Sequence, residues 1–143
     1  MNIIHLPQEH LAEEGLNMEI EIMPSIDFIQ SNRKDKGGIP IVKTSALFDT
    51  GSKLCAVDQS IIDDLGVTIR QIVPVKTPFH IVHRAVYQLI YKIPGEKEYF
   101  PVTAVVVNLS KDSYKAIIGR DFLQYCTLVY DGATNKSQLH IIK

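Results

Sequence analysis

The sequence predicts an all-β fold, a single closed β-barrel-like lobe with one or two short helices. About eight short runs rich in β-branched and apolar residues follow one another along the chain, and closely spaced turn signals separate them. Of the 143 residues, 45% are hydrophobic and 22% are charged, which is typical of a globular domain that buries a core.

We divide the chain into an N-terminal lead-in segment, residues 1–17, and a β-rich domain, residues 18–143. The domain begins with Met18–Met23, where apolar and charged residues alternate as they do in a half-buried strand. Pro24 closes this strand. We expect Ile26–Ile29 to continue it after a kink or bulge.

The next elements lead to a short helix. Ser31–Gly38 is rich in glycine and charged residues and predicts a hairpin loop, and Ile39–Phe48 predicts a strand. Leu54–Val57 is another short strand. A compact helix should follow, because Asp58 is a favourable N-cap residue and Gly66 a favourable C-terminal one.

The second half of the chain is again β-rich. We expect a projecting hairpin, a strand buried on both faces, a short strand that enters a short helix, and two final strands. The runs concerned are Val67–Val75 with Phe79–Ile93, Tyr99–Leu109, Ala116–Leu123, Cys126–Tyr130 and Gln138–Ile142.

Charge and composition argue against several classes of partner. The net charge of -1 provides no field that would attract nucleic acid or an anionic membrane, and no apolar run approaches transmembrane length. Without a signal-peptide pattern, we expect a cytoplasmic protein. Cys55 and Cys126 should then be unpaired thiols.

His80 and His83 lie three apart and would point to opposite faces of a strand, so we expect no metal site. We also expect no cofactor.

One stretch indicates a functional site. Ala46–Ser52 is an apolar strand that ends in Asp-Thr-Gly-Ser. A carboxylate at the end of a buried strand needs hydrogen bonds or a charged partner. Thr50 and Ser52 supply hydroxyl groups, and Gly51 lets a backbone or a ligand approach closely. A simple turn after a strand is the alternative interpretation of these four residues.

A second stretch, Ile117–Leu123, has the sequence Ile-Ile-Gly-Arg-Asp-Phe-Leu. In this order, with a hairpin between them, Ala46–Ser52 and Ile117–Leu123 resemble the two motifs of the retropepsin-like aspartic proteases. The resemblance extends from Met18 to the C-terminus. It implies an acid-protease lobe and an aspartic endopeptidase that acts on peptide or protein substrates.

Catalysis in that family needs two carboxylates that share one proton. This chain contains one Asp-Thr-Gly, so the resemblance implies a homodimer in which each copy provides one acid. It also implies three groups of residues. They are the catalytic or dyad-holding Asp49, Thr50 and Gly51; the substrate-binding Ser52, Phe79, His80, Ile81 and Val82; and the structural Gly119, Arg120 and Asp121.

The chain departs from the family pattern at two places. Retroviral members often have an acid where this chain has Lys53, and that acid pairs with the helix arginine. Arg120 therefore needs a different partner, and Asp121 and Asp58 are both open possibilities. The predicted hairpin tip, residues 79–84, contains no glycine, so the hairpin must turn through a wider loop or close poorly over a substrate.

Two alternative functions stay open. One is a weak or inactive dimerisation and peptide-binding module, and the other is a monomeric barrel that binds a small ligand.

Overall fold

The computed structural model of the chain describes residues 2–32, 38–68 and 71–142. These residues form ten strands and four short helices. The strands are β1 (Asn2–Pro7), β2 (Asn17–Pro24), β3 (Val42–Phe48), β4 (Cys55–Asp58), β5 (Gln71–Lys76), β6 (Ile81–Lys92), β7 (Tyr99–Val107), β8 (Ala116–Ile118), β9 (Cys126–Val129) and β10 (Lys136–Ile141). The helices are α1 (Leu11–Glu14), α2 (Ile26–Asn32), α3 (Gln59–Leu65) and α4 (Arg120–Leu123).

Seven strands form one sheet in the order β2-β3-β8-β4-β7-β6-β5. β2 also pairs with β6, so the sheet closes on itself into a barrel-like ring. β5 stays outside the ring as the outer arm of the β5–β6 hairpin. The pairs β3–β8 and β4–β7 are parallel, and the other pairs are antiparallel. The predicted all-β, barrel-like fold class is confirmed, but the described residues contain four short helices where the sequence predicted one or two.

Aromatic side chains fill the core and attach α4 to the barrel. Tyr91, Phe100 and Phe122 are fully buried, and the ring centroids of Phe100 and Phe122 are 4.2 Å apart. The Tyr91 hydroxyl donates a hydrogen bond to the Ala56 carbonyl oxygen at 2.9 Å. Because Phe122 belongs to α4, this packing fixes the helix that follows the Ile-Ile-Gly-Arg sequence.

The two ends of the described chain meet in a second sheet of order β1-β10-β9. Leu6, Leu139 and Ile141 on this sheet are buried in the main core. The sequence did not predict β1, because Ile3 and Ile4 are adjacent and interrupt the alternation that marks a half-buried strand. Its pairing with β10, which is distant in sequence, forms the strand.

The prediction that Ile26–Ile29 continues a strand is wrong, since these residues lie in α2. Ser25 is the reason. Its hydroxyl oxygen accepts a hydrogen bond from the Phe28 backbone N–H at 3.2 Å, as an N-cap residue does. Of the predicted loop Ser31–Gly38, residues 33–37 lie outside the described residues.

The predicted helix after Asp58 is confirmed as α3. One Asp58 carboxylate oxygen accepts hydrogen bonds from the Ser60 hydroxyl at 2.6 Å and the Ser60 N–H at 3.1 Å. The other accepts from the Leu109 N–H at 2.7 Å. These hydrogen bonds, above all that of the Ser60 hydroxyl, lower the Asp58 pKa. Gly66 ends the helix with a φ of 67°.

Both cysteines are unpaired, as the sequence predicts. Burial raises the pKa of the Cys55 thiol to about 12 and that of Cys126 to about 11, so both are protonated at neutral pH. In the part of the chain that the structure describes, no helix is both long and apolar enough to cross a membrane.

Candidate active site

Asp49 directly follows one of two paired parallel strands. β3 lies beside β8, with Phe48 opposite Ile118 at the end of the pair. Directly after it, the Asp49 backbone N–H donates to the Ile118 carbonyl oxygen at 3.0 Å. The loop that contains the acid therefore begins at a fixed position, since its first residue is hydrogen-bonded to a buried strand.

The loop holds one oxygen of the Asp49 carboxylate and leaves the other available. Oδ1 accepts a hydrogen bond from the Gly51 N–H at 2.9 Å. The Ser52 N–H closes the turn by donating to the Asp49 carbonyl oxygen at 3.2 Å. No donor from residues 2–32, 38–68 or 71–142 reaches Oδ2. Asp49 is half-buried, so this second oxygen keeps its hydrogen-bonding capacity for water or a ligand.

Arg120 holds the loop through backbone carbonyl groups. Its side-chain Nη1 donates to the Thr50 carbonyl oxygen at 2.8 Å, and its backbone N–H donates to the Ser52 carbonyl oxygen at 2.8 Å. The partner that the sequence left open is thus the Thr50 backbone. The Arg120 side chain thus has a hydrogen-bond partner other than an acid at position 53.

The two acids considered as partners of Arg120 have other contacts. One Asp121 carboxylate oxygen accepts a hydrogen bond from the Thr103 N–H at 2.6 Å, which connects α4 to β7. The Asp121 backbone N–H donates to the Lys53 carbonyl oxygen at 3.0 Å. Asp58 caps α3. Asp121 therefore supports the same loop as Arg120, from the next position along the helix.

Gly119 lies directly beneath the loop. A Cβ at this position would be 2.1 Å from the Leu54 carbonyl oxygen and 2.9 Å from that of Ser52. Gly119 has a φ of -95° and a ψ of -173°, which any residue adopts. Close packing against the backbone, and not backbone strain, is therefore what requires glycine here.

The β5–β6 hairpin turns without glycine. Lys76 pairs with Ile81, and residues 77–80 form the loop between them. The Thr77 N–H donates to the His80 carbonyl oxygen at 2.8 Å, and the Thr77 hydroxyl oxygen accepts from the His80 N–H at 3.1 Å. No described residue of this loop has a positive φ. Pro78, with its fixed φ, occupies the position after the threonine, so the turn forms through a wider loop.

A groove of about 790 Å³ lies between the hairpin and the Asp49 loop. Asp49, Gly51, Ser52 and Arg120 line it at the loop side. Its apolar lining belongs to a small cluster of core residues separate from the main core. The apolar residues that line the groove are Leu54, Val73, Val75, Val86 and Val105, with Pro74 at the hairpin.

The residues expected from the sequence to bind substrate occupy two places. Ser52 lines the groove, whereas Phe79, His80, Ile81 and Val82 lie at the hairpin tip and do not line it in this single chain. Phe79 is 91% exposed. The sequence analysis did not identify the apolar residues of β5 as groove residues, because the apolar run Ile72–Val75 is continuous and does not mark one face of the strand; the alternation appears only in the burial of the folded strand.

The residues of the Asp-Thr-Gly turn differ in their exposure to solvent. Asp49 is half-buried, and Thr50 and Gly51 at the turn are exposed. The described residues contain no group of three His, Cys, Asp or Glu side chains that could hold a metal ion. The half-buried Asp49 carboxylate thus lies at the groove, next to the exposed Thr50.

Solved structures with a similar fold include two aspartic proteases. A retropepsin-like aspartic protease from Rickettsia conorii matches with a TM-score of 0.56 and 15% identity, over 98% of this chain and 91% of that chain. An aspartic proteinase from Irpex lacteus matches with a TM-score of 0.56 and 15% identity, over 99% of this chain and 47% of that chain. This chain thus spans about half the length of the Irpex protein.

At this level of identity the similarity establishes the fold. The chain has a retropepsin-like fold, that of a single lobe of an acid protease. No protein-family profile and no curated protein sequence matches it.

Proposed function

We propose that the chain is an aspartic endopeptidase that is active as a homodimer, with one Asp49 from each copy. The observation that carries this proposal is the position of Asp49. Its carboxylate follows a buried strand, Gly51 holds one of its oxygens, and it opens into a groove under a hairpin. A groove of this kind suits an extended peptide, which binds as an added strand.

The number of carboxylates supports the dimer. Of the acidic side chains in the described part of the chain, Asp49 is the one that lines the groove. Hydrolysis by this chemistry needs two carboxyl groups close enough to share a proton. A two-fold axis beside the loop would bring the second Asp49 opposite the first, because an isologous contact repeats the same residues on both sides. The exposed Thr50 is then available to contact the other copy.

In the proposed reaction, the ionised carboxyl of the pair accepts a proton from a water molecule that attacks the peptide carbonyl carbon. The protonated carboxyl donates its proton to the carbonyl oxygen. Gly51 and Arg120 position the loop. The Gly51 N–H holds Oδ1 of Asp49, and the Arg120 side chain holds the Thr50 carbonyl oxygen. The hairpin covers the reacting groups and limits access of bulk water.

The direct test is Asp49→Asn, assayed on an unfolded protein substrate and on a peptide mixture. The expected result is loss of cleavage with folding retained, since Asp49 is half-buried and asparagine has nearly the same shape. Asp64→Asn is the matched control, because Asp64 is exposed on α3 and outside the groove. Cleavage should follow a bell-shaped pH profile that favours acid conditions. Persistent cleavage by Asp49→Asn would contradict the proposal.

Mixing wild-type and Asp49→Asn chains tests the shared dyad separately. If each active site needs one Asp49 from both copies, an equal mixture contains about one quarter wild-type dimers, and its activity per wild-type chain falls by about half. Activity that stays proportional to the wild-type chains would show that each chain works alone. Sedimentation velocity at the assay concentration measures the dimer directly.

A peptide-binding module without catalysis is the alternative that the same experiments identify. Such a module would bind peptides in the groove and would cleave none of them with Asp49 intact. The glycine-free hairpin was the sequence feature that favoured it. The Thr77 hydrogen bonds reduce that support, because they close the hairpin without glycine.

A further inference from the structure

Three cationic side chains line the groove. Lys53 follows Ser52 at the loop side, Lys76 ends β5 at the hairpin side, and Arg120 begins α4. Asp49 is the one carboxylate among the described residues that line it. The whole chain has a net charge of -1. The groove is therefore a region of positive charge in a protein that is close to neutral.

Neither lysine has a carboxylate partner in the described part of the chain. Ion pairs within 4.0 Å do form at other lysines, since Lys43 and Lys92 both contact Glu21. No such pair involves Lys53 or Lys76 within residues 2–32, 38–68 and 71–142. Arg120 already donates to a backbone carbonyl. The two lysines are thus the cations available to a ligand.

The apolar lining and the lysines together define a pattern in the ligand. Val75, Val86 and Val105 provide an apolar surface inside the groove, and Lys53 and Lys76 are exposed at its loop and hairpin sides. In an extended peptide, successive side chains point to opposite faces. Apolar residues of the peptide can therefore enter the groove while a neighbouring side chain reaches a lysine.

We infer that the groove selects extended peptides that carry a glutamate or aspartate next to the apolar residues, and that Lys53 and Lys76 select that acid. The inference rests on the proposed function and names the substrate class of the same site. Lysine suits this role because its ammonium group is a compact charge on a flexible stem, which can reach carboxylates at slightly different positions.

The expected preference is modest, because exposed ion pairs contribute little. A peptide with Glu should be cleaved with a kcat/KM about 1.5- to fivefold higher than the same peptide with Gln. High salt should reduce this ratio, since it screens exposed charges. The ratio should also fall below about pH 4.3, where the glutamate of the peptide becomes protonated.

The test compares three peptides that differ at one position, with Glu, Gln or Lys beside an apolar cleavage site. The double variant Lys53→Gln/Lys76→Gln should bring the Glu-to-Gln ratio close to one. The matched control is Lys97→Gln/Lys111→Gln, which removes the same charge from exposed residues outside the groove and should keep the wild-type ratio. An equal ratio for wild type and the Lys53/Lys76 variant would overturn the inference.

Binding of the same peptides to Asp49→Asn, measured by fluorescence anisotropy, separates this inference from the proposed function. Tighter binding of the Glu peptide, lost in Lys53→Gln/Lys76→Gln on the same background, supports the inference even if no chain cleaves. Equal binding of the three peptides, or no binding, overturns it. Cleavage of Glu and Gln peptides at equal rates overturns the inference and leaves the peptidase proposal standing.

Discussion

Gly119→Ala adds one methyl group where the turn between β8 and α4 passes beneath the loop that contains Asp49. The new carbon would be 2.1 Å from the Leu54 carbonyl oxygen, and ordinary contact begins at 3.4 Å, so the two backbone segments must separate by at least about 1.3 Å. Inserting a methyl group into a packed site costs about 1–3 kcal/mol.

The separation also weakens two hydrogen bonds between the segments. These are the Arg120 N–H to the Ser52 carbonyl and the Asp121 N–H to the Lys53 carbonyl. Each contributes about 0.5–1.5 kcal/mol. The total expected loss in the free energy of unfolding is therefore about 2–6 kcal/mol, against about 5–15 kcal/mol for a typical domain. Urea unfolding followed by circular dichroism measures this loss.

Gly38→Ala is the matched control, since no atom of the described residues lies within 4 Å of a Cβ built there and its φ lies outside the left-handed region. This change should leave stability unchanged or raise it by up to about 1 kcal/mol, because alanine restricts the unfolded chain. If Gly119→Ala differs from Gly38→Ala by less than about 1 kcal/mol, close packing does not explain the glycine. Peptide cleavage by Gly119→Ala should also fall, because the loop that must move contains Asp49.

Two further predictions concern residues that hold the site. Asp58→Ala should lower the free energy of unfolding by about 2–5 kcal/mol at neutral pH, because it removes the α3 cap and leaves the Leu109 N–H unpaired. The Asp58 pKa is lowered in the folded protein, so the ionised carboxylate stabilises the fold above about pH 4, and this stabilisation is lost as the pH falls through the folded pKa. The free energies of unfolding of wild type and Asp58→Asn, measured in urea, should therefore converge at low pH. Arg120→Met should lower the rate of peptide cleavage, with a loss of only about 0.5–1.5 kcal/mol in the free energy of unfolding. The change releases the exposed Thr50 carbonyl and keeps the hydrogen bond from the backbone N–H of residue 120 to the Ser52 carbonyl. An unchanged rate would show that Arg120 does not position the loop.

Local signals made part of the fold predictable. Asp58 and Gly66 mark the two ends of α3 through hydrogen bonds within a few residues, so the sequence alone specifies that helix. Ser25 carries a similar N-cap signal for α2, but the apolar run Ile26–Ile29 favoured a strand. β1 depends on pairing with β10 at the other end of the chain, which no local pattern shows.

The candidate site was likewise predictable only in part. Asp49 and Gly51 lie in one short turn, and their hydrogen bond follows from the sequence of that turn. The partner of Arg120 was not predictable, because the Thr50 carbonyl is a backbone group and no residue type indicates which carbonyl a side chain will reach. The groove likewise depends on where the hairpin lies over the loop, which only the complete sheet determines.

The contact of Arg120 with main-chain oxygens has a consequence for variation. A carbonyl group is the same in every amino acid, so the contacts of Arg120 with the Thr50 and Ser52 carbonyl oxygens do not depend on the side chains at those positions or on the neighbouring side chain at position 53. The hydrogen bonds that support the loop are thus independent of the side chain at position 53. On the inference drawn above for Lys53, an exchange of this lysine for a neutral or acidic residue would change which peptide is selected, while the turn that presents Asp49 keeps its shape.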